Sequence, residues 1–275
     1  MKIAKNRSNG SGRNLLLAGL PGKAVVIAVL ALGLVLTGCP PPDGGEEEET
    51  RSNPVLGETF EIKGKVYGES WDSAGISYTP LTNVTAVTVN GPFNTTLTAA
   101  IPDGSNFTVT IPAAVSDWLS TTTKENLASQ FDLRNGTKIT TFEPADARFG
   151  DLSFEATAPG YYSYLSLGTQ SVSGTEENYS LSGSDYSYVY VDKDVTINGS
   201  DQDQGEETED GVTYVYDYST TVNLSLKAGW NVIERSSSES GKEVSATKYE
   251  SKGTTTYSVK GILESAKWTL DSEDD

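Results

Sequence analysis

Within 275 residues the chain carries 38 Asp and Glu against 20 Lys and Arg, a formal net charge of −18, with no histidine and a single cysteine, Cys39. The missing histidine excludes Ser-His-Asp and Cys-His catalysis, histidine zinc sites and histidine general bases, and the lone cysteine excludes an intramolecular disulfide. A surface this acidic repels nucleic acid, so no nucleic-acid partner is expected.

At the amino terminus, Lys2, Lys5, Arg7, Arg13 and Lys23 precede an apolar run from Ala24 to Leu36, and no acidic residue comes before Asp43. That order is a charged n-region followed by the h-region of a secretory signal. The run covers roughly 20 Å as a helix at ~1.5 Å per residue, whereas a stable span needs ~20 residues. Residues 1–38 are therefore expected to be a removable signal peptide. The next residues, Leu36-Thr37-Gly38-Cys39, resemble the lipobox of bacterial lipoproteins, in which a branched residue and two small ones precede the modified cysteine. The resemblance implies cleavage between Gly38 and Cys39, diacylglycerol on the Cys39 sulfur, and often acylation of the new amino terminus. Two or three acyl chains, at ~0.8 kcal/mol per buried methylene, anchor far more firmly than one. The implied location is the cell envelope, lipid-anchored on the extracytoplasmic side. Pro40 stands where, by resemblance to enterobacterial lipoproteins, an aspartate would favour inner-membrane retention, so the outer membrane or cell surface is preferred.

Five of the 20 basic residues lie upstream of Cys39 and all 38 acidic residues downstream, so processing would leave 237 residues with a formal charge of −23. Residues 39–57 read as a tether: Pro40-Pro41-Pro42 stiffens it, Gly44-Gly45 loosens it, and Glu46 to Glu49 repel one another and the bilayer.

The remainder is rich in Thr, Ser, Val, Tyr and Gly, in short period-2 runs punctuated by turn dipeptides, and is expected to be all-β. Phe60, Ile62 and Val66, then Val87 and Val89 before Asn90-Gly91-Pro92, then Phe107, Val109 and Ile111, predict a small β-sandwich over 58–112. This strand pattern resembles the transthyretin-like or immunoglobulin-like modules of secreted bacterial proteins. Residues 113–151 lose the alternation and read as a connector. Within it, Thr122-Thr123-Lys124-Glu125 has the form of a capping box, predicting a short helix with Leu127 and Phe131 on one face.

Residues 152–275 predict an antiparallel Tyr-rich β-domain ending in an acidic tail from Asp271 to Asp275. Tyr186, Tyr188 and Tyr190 alternate with Val189 and Val191, and Tyr214, Tyr216 and Tyr218 repeat the pattern around Val215, so the two strands are expected to pair. Between them, the segment from Asn198-Gly199 through Asp210-Gly211 carries Asp201, Asp203, Glu206, Glu207, Glu209 and Asp210, which predicts a protruding hairpin tip too charged to bury. Val222, Leu224 and Leu226 run through Lys227-Ala228-Gly229 into Trp230 and Val232, which predicts a further hairpin.

The six tyrosines are candidate ligand-contact aromatics, because exposed aromatic rings stack on the apolar faces of sugars and are favoured at protein interfaces; the alternative is that they stabilise a sheet face. Calcium is the one cofactor considered, with Asp192, Asp194, Asp201 and Asp203 as candidate ligands. The EF-hand spacing fails, since Gly205 at the sixth position puts Ser200, Gln202 and Gln204 where Asp or Asn belongs. Gly241-Lys242 is followed by Glu243, not the Ser or Thr of a phosphate loop, and Ser245-Ala246-Thr247-Lys248 matches S-x-x-K without its companion motifs. No catalytic residue is assigned. The expectation is a non-enzymatic, membrane-anchored lipoprotein presenting a β surface for binding, adhesion or envelope structure, with an extracellular protein or polysaccharide as partner. The alternatives are a carbohydrate-active or other carboxylate-based enzyme and an assembly subunit of an envelope complex.

Overall fold

The computed structural model describes Arg51 and residues 55–72, 75–175, 177–209 and 211–272. The signal, the lipobox with Gly38 and Cys39, most of the tether and the tail from Glu273 lie outside the described residues. The strands are β1 (Val55–Gly57), β2 (Phe60–Asp72), β3 (Gly75–Pro80), β4 (Ala86–Asn90), β5 (Leu97–Thr98), β6 (Asn106–Ile111) and β7 (Ser120–Thr121). After the helix α1 (Lys124–Gln130) come β8 (Ile139–Glu143), β9 (Arg148–Asp151), β10 (Ser153–Thr157), β11 (Ser166–Thr175), β12 (Asn178–Val191) and β13 (Val195–Glu209). The chain continues through β14 (Val212–Leu226), β15 (Gly229–Ser245), β16 (Lys248–Val259) and β17 (Lys267–Asp271). The protein is all-β and sandwich-like, and among the described residues no helix is long and apolar enough to cross a membrane.

A large sheet runs β3-β2-β17-β11-β12-β15-β16-β14-β13-β8, and a small one runs β10-β4-β5. The units read from the sequence as 58–112 and 152–275 share one core. The amino-terminal half of β2 pairs with β6, but its other half pairs with β17, and β10 returns to pair with β4. Val66, Val87, Phe107 and Ile111 accordingly lie in the same buried cluster as Phe154, Leu167, Trp230 and Trp268. Neither half could bury its inward row alone, because each offers the other its second layer.

A second cluster forms on the opposite face of the large sheet, where Leu127 and Ala128 of α1 and the C-cap residue Phe131 cover Ile197, Val222, Leu224 and Tyr257. The helix starts one residue later than the capping-box reading. Thr123 is the cap, its hydroxyl accepting from Asn126 N at 3.2 Å, and Glu125 instead accepts from Gly136 N at 2.8 Å, tying down the following turn.

Three strand assignments are corrected. The tyrosine strands β12 and β14 are not neighbours, because β15 and β16 lie between them. β14 and β15 are joined only by Lys227 and Ala228, yet they form no hairpin: β16 inserts between them, parallel to β14 and antiparallel to β15. The domain is therefore mixed, since β17 also runs parallel to β2. Buried Asn231 locks the splayed corner, accepting from Lys227 N at 2.9 Å and donating to Gly229 O at 2.9 Å. Lastly, the acidic segment does belong to a hairpin, but most of it is strand and not tip. It is β13, in continuous register with β14 from Val195–Leu226 to Glu209–Val212. Beyond Gly199 no strand pairs with its outer edge among the described residues, so, apart from Asp201, its carboxylates stay in water while its backbone completes a ladder, and such charges protect an open edge from pairing with another chain.

Candidate functional site: a two-faced single-layer sheet

The proximal halves of β12 to β16 are covered on both faces, but the distal halves project as a single polar layer. Six in-register residues, Ser171, Ser182, Ser238, Thr254, Ser219 and Gln202, form one row across it. Two positions along, Thr169, Ser184, Ser236, Thr256, Thr221 and Ser200 form the next row on the same face. Side chains directly opposite share a face and those two apart along a strand share it too, so this face is a hydroxyl array. The Ser238 and Thr254 hydroxyls are 2.9 Å apart, and the array floors a shallow open concavity of about 360 Å³.

The other face carries tyrosines. Tyr214, Tyr216 and Tyr218 continue the row of Val222, Leu224 and Leu226, and the ladder brings Tyr179 and Tyr249 to the same side. Each of three tyrosines stands beside a glycine on the next strand: Tyr179 beside Gly241, Tyr216 beside Gly205, and Tyr218 beside Gly253. The rings occupy the space a side chain would fill; a Cβ at Gly253 would meet Tyr218 Cδ1 at 2.8 Å, and one at Gly241 would collide with Tyr249 and Tyr179. Aromatic cover of strand glycines supplies contact area that a sheet without a second layer otherwise lacks. Ring contacts extend the cluster, with centroids 6.2 Å apart for Tyr214 and Tyr249 and 6.4 Å for Tyr216 and Tyr218. Glu239 gathers two hydroxyls: Tyr179 donates to its Oε1, and Tyr218 donates to the same atom at 3.2 Å. Burial, with the Glu239 carboxylate close by, pushes the Tyr218 hydroxyl up to about 12 against the opposing Ser251 hydrogen bond. The same two causes raise Tyr179 further, so both remain neutral donors.

The candidate aromatics thus divide. Tyr214, Tyr216 and Tyr218 are half-buried and reachable on the single layer, whereas Tyr186, Tyr188 and Tyr190 point to the opposite face and are only 7%, 5% and 9% exposed. These last three are core residues, because the amino-terminal half packs over them: Phe60 stacks on Tyr188 at 5.5 Å. Tyr179 and Tyr249, which belong to the exposed cluster, stand apart from the two tyrosine rows, Tyr179 at the far end of β12 on the face opposite Tyr186, Tyr188 and Tyr190, and only the register brings them to Tyr214, Tyr216 and Tyr218.

The four aspartates are not brought together. Asp192 and Asp194 lie in the turn between β12 and β13, not on a strand face. Asp192 accepts from Arg148 Nε at 3.0 Å, while Asp194 accepts from Lys227 Nζ at 2.7 Å. Asp201, buried at the edge of the second cluster, accepts a fork from Arg134, with Nε at 2.9 Å and Nη2 at 2.7 Å, and lies 3.0 Å from Lys138 Nζ. The Arg134 hydrogen bond holds the Asp201 carboxyl far below its ordinary range despite burial. Asp203, two residues along, is exposed. Among the described residues no three acidic, cysteine or histidine side chains are grouped as metal ligands. Asp201→Asn is expected to destabilise the fold by about 2 kcal/mol, below the ~3–5 kcal/mol of fully buried pairs because Arg134 keeps contact with water. Urea unfolding at pH 7 measures it, and an unchanged midpoint would show that the fork contributes nothing.

Comparison with family models, curated protein sequences and solved structures gives no match.

Proposed function

We propose that the protein is a lipid-anchored, extracytoplasmic lipoprotein that works by presenting the single-layer sheet to a partner, a polysaccharide or another protein, and not by catalysis. The single observation that carries this reading is the tyrosine face, where Tyr179, Tyr214, Tyr216, Tyr218 and Tyr249 are half-buried in a layer with nothing packed over it among the described residues. A sheet extended by about ten residues beyond its core is costly unless its faces are used, since only its proximal half gains from apolar burial. Partly exposed tyrosines give a binding face large rigid area with a hydrogen-bonding tip. The alternative of a carboxylate-based enzyme is disfavoured because the buried carboxylates Asp201 and Glu234 are each tied to two cations, Arg134 with Lys138 and Arg51 with Lys260, which favour the ionised form, whereas a general acid must be kept protonated. The acidic edge of β13 argues against an assembly subunit that adds strands at that edge.

The anchoring part rests on Leu36-Thr37-Gly38-Cys39. Intact mass and membrane fractionation of the protein from its native cells, beside a Cys39→Ser variant, test it. The expected result is a chain starting at Cys39 with a lipid-sized mass increase, and release of the variant from membranes. An unmodified soluble chain retaining residues 1–38 would overturn it.

A further inference from the structure

Away from the single-layer sheet, an open concavity of about 370 Å³ lies where β2 and β17 diverge, within the ~300–1,000 Å³ range of small-ligand sites. It is lined by the apolar and aromatic side chains Leu167, Tyr188 and Trp268, by Lys63, Lys65 and Lys267, and by Glu264 and Ser265. Its shape follows from the topology. β17 pairs with β2 only from Val66 onward, so residues 60–65 pair with β6 on one side and leave the other side unpaired toward the groove, among the described residues. Gly64 lets the Trp268 ring pack directly against β2, because a Cβ there would strike the ring.

The charge arrangement is anomalous for this chain. Trp268 opposite Val66 is the first pair between the two strands, and one residue before it on each strand stand Lys267 and Lys65, both lining the groove. Like charges directly opposite are destabilising, and the sequence offers 38 carboxylates for pairing. Yet among the described residues neither lysine is ion-paired: Lys267 sits 4.9 Å from the Tyr78 ring centre and Lys65 6.0 Å from that of Tyr67. Lys63 is held only by its neighbour Glu61 at 2.8 Å, both exposed, a pair of small net value. Two lysines without an ion pair among the described residues, one of them with Asp103 as a longer-range charge neighbour, and a loosely held third share one groove with apolar and aromatic side chains, a carboxylate and a hydroxyl, which matches a ligand with one apolar face, several hydroxyls and an anionic group. We propose that this groove binds an acidic sugar, a uronate residue of a polysaccharide, with the carboxylate between Lys65 and Lys267 and the ring hydroxyls toward Glu264 and Ser265. The proposal adds a ligand class to the surface-binding reading and needs the extracytoplasmic location for its biological sense, but the groove itself does not depend on the anchor.

The test is calorimetric titration of the full chain in detergent with α-1,4-linked trigalacturonate, its carboxyl-reduced counterpart, triglutamate and acetate. Binding of trigalacturonate alone is expected, weakened at least tenfold in Lys65→Gln/Lys267→Gln, retained in Lys65→Arg/Lys267→Arg, and unchanged in Lys193→Gln, whose lysine pairs with Asp146 elsewhere. Thermal unfolding of the glutamine variant should be unchanged or raised, because a like-charge contact is removed; if that variant does not fold, Lys267→Gln alone takes its place. No binding, equal binding of the carboxyl-reduced sugar, or indifference to the glutamine substitutions would overturn the proposal. Equal binding of triglutamate or acetate would show a general carboxylate site and overturn the sugar assignment. Because the assay uses isolated protein, its failure is distinct from failure of the Cys39→Ser fractionation.

Discussion

Replacing Trp230 by alanine is expected to cost about 4 kcal/mol, the middle of the range for deleting a buried tryptophan, and to lower the melting temperature by roughly 8–16 °C for a chain of this size. Trp230 is fully buried at the start of β15 and touches both halves of the molecule. Its ring meets Tyr190 edge-on at 5.3 Å and Phe60 at 6.0 Å, and its indole N–H donates to the Pro112 carbonyl at 3.1 Å. Truncation therefore opens a cavity between the halves and leaves the Pro112 carbonyl without that donor. Because the core is shared, calorimetry should show one transition moving as a unit. Separate transitions for the two halves, or a loss below about 1 kcal/mol, would contradict the shared core.

The second large effect centres on Glu234, which is 1% exposed. Its Oε1 accepts from the Ser184 hydroxyl at 3.0 Å, Arg51 Nη1 at 3.1 Å and the Tyr186 hydroxyl at 3.3 Å, and its Oε2 lies 3.3 Å from Lys260 Nζ. Arg51 also donates to the Gly261 carbonyl at 3.2 Å. One carboxylate thus fastens Arg51 and the connection after β16 to the centre of the sheet. Burial pushes its pKa up, but the Ser184 hydrogen bond, Arg51 and Lys260 outweigh that and hold the carboxyl below its ordinary 4.5. Glu234→Gln keeps the shape and removes the charge, and is expected to cost about 3 kcal/mol at pH 7, the low end for breaking a buried pair because both cations can turn to solvent. The pH dependence has a definite sign. A carboxyl whose folded value is depressed stabilises the fold fully above its ordinary value, and that contribution is lost as pH falls through the depressed one. The gap between wild type and Glu234→Gln should therefore be constant above about pH 5 and shrink below it. A gap widening on acidification would mean that burial, not the cations, dominates the site.

The inward rows of β2, β4 and β6 were legible because period-2 alternation at Phe60, Ile62, Val87, Val89, Phe107, Val109 and Ile111 reports a half-buried strand directly. The helix was legible to within a residue for a similar reason, since Leu127 and Phe131 share a face at helical spacing. The tyrosine rows misled because alternation gives the face of a strand relative to its own neighbours but not which side of the molecule that face meets. Tyr186 and Tyr214 read alike, yet one row lies under the amino-terminal half and the other faces solvent. The acidic run of β13 misled for another reason: charge density argues against burial, and past Asp201 an edge strand in a single layer does not have to bury its acidic side chains.

By itself, then, the sequence determined the all-β class, the segments able to bury a face, the exclusion of histidine chemistry and of an intramolecular disulfide, and the lipobox expectation at Cys39, because each depends on residue type or local spacing alone. Only the tertiary structure decided that the halves share a core, that β16 separates β14 from β15, which tyrosines meet solvent, and that Lys65 and Lys267 line one groove. Those outcomes rest on pairings between residues up to about two hundred positions apart, such as Val66 with Trp268, and local propensity carries no information about which distant strand supplies a ladder's other side.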